Sequence, residues 1–206
     1  SRLQDEPARF VAMARKTQQA LALLGALLGV LLIVGGPKLV ALLYGHQYAP
    51  AGVLIGWLGI VFTLRLLRVG PTVVALARGD SRNSLVANLW RTGALPVAVG
   101  AAVLGADLMW LAVAGVAGEL VAMASASIGA SRKHAVPLRT FLEPAAYYAG
   151  SVVICLALVQ VGSASLGWFA SVSLTTGVGL GAAVVMLLGM RELRGALMSL
   201  RRGQPG

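Results

Sequence analysis

Five polar residues stand inside otherwise apolar stretches of this sequence: Arg65, Arg68, Asn88, Arg91 and Glu119. Arg65 and Arg68 are three apart, and so are Asn88 and Arg91. That spacing puts each pair on one face of a helix. A guanidinium keeps its charge when desolvated, and its planar donor fork matches the oxygens of a phosphate or diphosphate. In a bilayer each such charge costs roughly 2.5–3.5 kcal/mol near the helix centre on insertion scales. These side chains must therefore face a partner or a water-filled cavity. Two readings follow. Glu119 can anchor an ion-pair network that fixes helix register. Alternatively, the arginines line a basic cavity for an anionic substrate. One carboxylate cannot neutralise three guanidiniums, so at least two positive charges remain, which favours the second reading.

The elements that hold these residues are long and apolar. The chain has 206 residues, 58% hydrophobic and 12% charged, with a mean hydropathy of +0.83. Six apolar runs can be marked, at about Gln19–Tyr44, Ala51–Ala77, Ser84–Leu104, Leu108–Ala130, Pro144–Val161 and Leu166–Met190. Each is long enough to cross about 30 Å of hydrocarbon as a helix rising ~1.5 Å per residue. None shows the two-residue alternation of barrel strands. The expectation is an all-α, polytopic membrane helix bundle of about six transmembrane helices.

Charge sets its orientation. The formal net charge is +10, which in a soluble chain would suggest nucleic acid. Here the basic residues gather in short loops, so no nucleic-acid partner is expected. Arg2, Arg9, Arg15 and Lys16 precede the first run, Arg78 and Arg82 follow the second, Arg132, Lys133 and Arg139 follow the fourth, and Arg191, Arg194, Arg201 and Arg202 follow the sixth. The three intervening loops carry only Lys38. Positively charged loops stay cytoplasmic, so the N and C termini are both expected there. The division is a cytoplasmic segment 1–18, a six-helix bundle 19–190 and a basic cytoplasmic tail 191–206. Counted from the cytoplasmic helix ends, Arg91, Arg68, Glu119 and Arg65 lie about 11, 15, 17 and 20 Å deep.

Other chemistry is thin. Cys155 is the only cysteine and His46 and His134 fall in loops, so neither a metal site nor a cofactor is expected. There is no catalytic triad, no paired membrane carboxylate and no His-Glu-x-x-His pattern, which argues against an enzyme. Small residues recur at helix spacing in Gly25 and Gly29, Gly52 and Gly56, Gly115 and Gly118, and Gly177 and Gly181, allowing close helix approach in lipid. The longest connector is read as Ser131–Glu143, where Thr140 or Glu143 could cap the next helix.

Three stretches carry a family likeness. Ser1-Arg2-Leu3 leads through Asp5 and Glu6 into the first span. Leu42-Leu43-Tyr44-Gly45-His46-Gln47-Tyr48-Ala49-Pro50-Ala51 forms a leucine-rich turn with spaced aromatics. Leu76-Ala77-Arg78-Gly79-Asp80 is followed by Asn88-Leu89-Trp90-Arg91. Over Ser1–Leu104 the chain resembles the polysaccharide flippases of the multidrug/oligosaccharidyl-lipid/polysaccharide superfamily. The remainder is similar in topology alone. The resemblance implies two lobes around a central cavity, alternating access, and an anionic lipid-linked saccharide carried across a bacterial cytoplasmic membrane. It also implies that this chain is the C-terminal portion, partnered by membrane lipids and by N-terminal helices of the same protein. Arg65, Arg68, Asn88, Arg91 and Glu119 would then bind substrate. A peptidoglycan-precursor flippase, a small-cation exporter and a structural subunit of a glycan-synthesis complex are the competing expectations.

Overall fold

A computed structural model describes residues 6–162 together with 173, 177, 181, 184, 185 and 187–190. Among these residues every regular element is helical: α1 (Pro7–Tyr44), α2 (Gly52–Ala77), α3 (Ser81–Val103), α4 (Leu108–His134) and α5 (Arg139–Gly162), with a 3-10 turn at His46–Ala51 after α1. Helices α1, α2, α4 and α5 are long and apolar enough to cross a membrane. At 23 residues α3 has the length, about 35 Å. It is not among those four because Arg82, Asn83, Asn88, Arg91 and Thr92 dilute its apolar content. Most of the sixth run and all of the basic tail 191–206 lie outside the described residues, although Gly177 and Gly181 are within them.

Packing runs α5–α1–α2–α4–α3, with each neighbouring pair in contact along its length. By contrast, α2 and α3 barely touch beyond their turn. The larger core cluster joins Ala22, Ala26 and Ile33 of α1 to Leu64 and Leu67 of α2, Tyr148 and Val152 of α5, and Met190. Hydroxyls of Tyr148 and Thr63 hydrogen-bond inside it, tying α5 to α2 across α1.

Two boundaries differ from the sequence reading. Helix α1 starts at Pro7, so residues 7–18 are helical and continuous with the first apolar run. The first turns of α1 pack Phe10, Val11 and Ala14 against Val74, Ala130, Val136 and Phe141, forming a second core cluster. Residues 131–134 likewise extend α4, and the connector shrinks to residues 135–138. Thr140 forms no cap. Its hydroxyl is buried without a hydrogen bond, and its N–H donates to the Pro137 carbonyl.

Helix α2 contains Pro71. Proline lacks an N–H, which orphans the carbonyl four residues earlier. That carbonyl belongs to Leu67, and it accepts a hydrogen bond from the buried Gln18 side-chain amide of α1 at 3.0 Å. Gly70 makes room for this amide, since a Cβ there would sit 1.7 Å from Gln18 Oε1. The pair thus seals the backbone break one residue before Arg68.

At the opposite end of α2, Gly79 takes a positive φ of 76°, and Asp80 N–H donates back to the Ala75 carbonyl, turning the chain into α3. Asp80 caps α3 through Asn83 N–H at 3.2 Å and holds Lys133 (3.1 Å) and His134 (3.3 Å) at the end of α4. The Asn83 amide donates to the Ala126 carbonyl, pinning α3 to α4. The hydrogen bond from Lys133 is the main cause that holds the Asp80 carboxyl below its ordinary value. Partial desolvation opposes it, while the Asn83 N–H, the Lys133 charge and His134 add to it.

Two outcomes test this arrangement. Gln18→Leu should lower stability by about 1–3 kcal/mol, because it leaves the Leu67 carbonyl buried and unpaired; a thermal melt in detergent that matched wild type would contradict it. Since the folded-state pKa of Asp80 is depressed, its stabilisation is complete above the unfolded value near 3.9. It should fade as pH falls through the lower folded value. Asp80→Asn should flatten the melting temperature against pH in that acidic window.

Candidate functional site

The tight turn keeps α2 and α3 together at one end, and both then lie on α4 while diverging from each other. Side chains from all three helices can therefore meet in the interior. Gly118 of α4 permits the closest approach of α3. A Cβ there would sit 2.8 Å from Ala94 Cβ and 3.4 Å from the Arg91 carbonyl oxygen. The next residue on α4 is Glu119.

All five residues singled out from the sequence converge on this point. Glu119 is 1% exposed, and its carboxylate touches three guanidiniums. Arg65 donates Nε to Oε1 at 3.0 Å and brings NH2 within 2.9 Å of the same oxygen. Arg91 NH1 approaches the same oxygen at 3.6 Å. Arg68 faces the other oxygen, with Nε 3.5 Å from Oε2, and donates NH1 to Asn88 Oδ1 at 2.8 Å. The three arginines come from neighbouring turns of two helices, and the carboxylate comes from the third.

The arginines are not equivalent. The Arg68 side chain is 10% exposed and held by Glu119 and Asn88. It belongs to the frame of the site. The side chains of Arg65 and Arg91 are 42% and 37% exposed. Both line a cleft of about 290 Å³ bounded by α2, α3 and α4, which runs from Glu119 past Thr92 and Gly115 toward the α3–α4 turn. The Arg65 guanidinium also lies 5.4 Å from the centre of the Phe62 ring. The cleft walls farther from Glu119 are apolar, with Val61, Leu95 and Leu111 among them.

Among the described residues Glu119 is the one carboxylate that these three guanidiniums contact, which leaves the cluster with two positive charges in excess. Both sequence readings therefore describe part of it. Glu119 organises an ion-pair network, and the network remains cationic where it meets the cleft. Such a surface attracts anions and repels a metal ion. No group of three His, Cys, Asp or Glu side chains is found together among the described residues. His46 lies in the turn after α1 and His134 at the Asp80 latch, both away from the cluster.

Two contributors escaped the sequence reading. Gln18 is the first, although Pro71 four residues after Leu67 is a signal that a donor must come from elsewhere. Gly118 is the second in this role; its pairing with Gly115 indicated close packing but not which helix approaches.

Replacing Gly118 with Ala should overpack the α3–α4 seam and destabilise the chain by about 1–3 kcal/mol. Adding Ala94→Gly to that variant should restore most of the loss, as read from the melting temperatures of the four-member cycle. Purely additive effects would contradict a direct contact.

No protein-family model, curated protein or solved structure matches this chain.

Proposed function

We propose that this chain is the C-terminal portion of a membrane transporter that moves a polyprenyl-diphosphate-linked oligosaccharide across the bacterial cytoplasmic membrane for polysaccharide synthesis. Its mode is alternating access, with six spans and both termini in the cytoplasm. The observation that carries the reading is the meeting of Arg65, Arg68 and Arg91 on a single buried carboxylate, with the excess charge facing a cleft. Two uncompensated charges at this depth are a standing cost. A diphosphate offsets it, because each phosphate can take a guanidinium fork. The apolar cleft walls beyond the arginines suit the isoprenoid that carries such a headgroup.

The loop charges support the proposed orientation, since all but one of the bases outside the spans fall on the cytoplasmic side in the six-span reading. A peptidoglycan-precursor carrier uses the same diphosphate chemistry and remains the alternative substrate class. A small-cation exporter is disfavoured by one observation: the carboxylate that would attract a cation is enclosed by guanidiniums. The chemistry assigned to the site is binding and release, with no covalent step. A purely structural subunit differs from this reading in having no need for Arg65 and Arg91 to reach open space.

Arg65→Gln combined with Arg91→Gln in the full-length protein should cut flipping of a fluorescent polyprenyl-diphosphate saccharide in vesicles at least tenfold. Insertion and oligomeric size should be unchanged. A wild-type flipping rate in that double variant would overturn the proposal, and a wild-type protein that flips nothing would favour the structural subunit.

A further inference from the structure

The carboxylate of Glu119 occupies the very donors that an anionic headgroup would need. Arg65 Nε and NH2 and Arg91 NH1 all converge on Oε1. These are the two arginines whose side chains reach the cleft. The other oxygen is placed differently. Oε2 and Arg68 Nε are both buried, lie 3.5 Å apart, and make no hydrogen bond. The carboxylate is thus firmly held on its cleft side and loosely held on its frame side. A small rotation toward Arg68 would complete that second contact while freeing Arg65 and Arg91. Asn88, which already holds Arg68 NH1, keeps the frame in place during the exchange.

We infer that Glu119 is a resident counter-anion which a ligand's phosphates must displace from Arg65 and Arg91, and that this displacement selects for ligands carrying more than one negative charge. The inference rests on the diphosphate-binding reading above and adds to it the basis of selectivity. The charged groups that face Glu119 are Arg65 and Arg68 from α2 and Arg91 from α3. Displacing the carboxylate imposes the same loss on every anionic ligand. A phosphodiester monoanion, the charge type of bulk anionic phospholipids, merely replaces one negative charge by another. A diphosphate brings additional charge, so it recovers the loss and gains. The device matters in a membrane, where monoanionic lipid headgroups far outnumber any lipid-linked saccharide and would otherwise fill a cationic cleft.

The test is calorimetric titration of the purified full-length protein, in a neutral detergent, with inorganic pyrophosphate and with dimethyl phosphate, a strict monoanion. Wild type should bind pyrophosphate and show no measurable binding of dimethyl phosphate. Glu119→Gln should bind pyrophosphate at least tenfold more tightly and acquire measurable affinity for dimethyl phosphate. Glu119→Asp keeps the charge but shortens the reach toward Arg65 and Arg91. Its pyrophosphate affinity should fall between the other two, and it decides the matter if the Gln variant does not fold. If wild type binds pyrophosphate and neither variant binds it more tightly, the displacement idea is overturned while the diphosphate reading stands. If neither wild type nor variants bind pyrophosphate, the diphosphate reading fails and takes this inference with it.

Discussion

Burying one carboxylate among three guanidiniums inside an apolar bundle is the constraint around which this chain is built. An ion in a low-dielectric interior loses several kcal/mol of hydration even after relaxation, and only close, well-aligned partners compensate. Glu119 obtains them by drawing two residues from α2 and one from α3 onto a single residue of α4. That demand fixes the rotation of three helices at once. It also explains why α3 tolerates a composition less apolar than its neighbours. Asn88 and Arg91 face the cluster, while Leu85, Leu89, Trp90 and Val97 are exposed on the surface of the helix.

Holding the cluster requires that α2 be straight enough to present Arg65 and Arg68 together, yet Pro71 interrupts its hydrogen bonding three residues later. Proline inside a membrane helix is tolerated where a neighbour restores the lost pairing. Gln18 does so from α1, and it can reach because Gly70 has no side chain. The same economy recurs at Gly118 against Arg91 and Ala94. In both places a glycine within two residues of an ionisable one, Gly70 of Arg68 and Gly118 of Glu119, converts close packing into placement. Lipid supplies no hydrophobic drive between helices, so such fits and the hydrogen bonds Thr63–Tyr148 and Asn83–Ala126 carry the association.

Much of this was legible in the residues themselves. Ionisable groups in apolar runs are so costly that Arg65, Arg68, Arg91 and Glu119 had to face a partner or a wet cavity, and depths close enough for them to meet follow from counting along each run. Asn88 was legible through its spacing from Arg91. Helix existence was equally plain, since α1, α2, α4 and α5 follow the apolar runs. Ends were less so. The first turns of α1 are polar enough to read as an arm, because Arg9, Arg15 and Lys16 mask the apolar stripe of Phe10, Val11 and Ala14. The Thr140–Glu143 pair mimics a capping box, yet the Pro137 carbonyl starts α5 one residue earlier. The division of labour among the arginines was not legible at all. Exposure of Arg65 and Arg91 against burial of Arg68 depends on how far α2 and α3 diverge, which no local spacing encodes.

That divergence is itself a consequence of short-range chemistry. Gly79 and Asp80 turn the chain within two residues, so α2 and α3 must begin side by side. Asp80 then grips the end of α4 through Lys133 and His134, and Asn83 pins the first turn of α3 to Ala126. With one end fixed and both helices packed on α4, α2 and α3 part away from the latch. The cleft runs between α2 and α3 from Glu119 toward the α3–α4 turn, along Thr92, Leu95 and Ala98 of α3 and Gly115 and Leu111 of α4. Under the function proposed above, a cationic pocket with Glu119 at one end would give a ligand access and give weaker anions a reason to stay out.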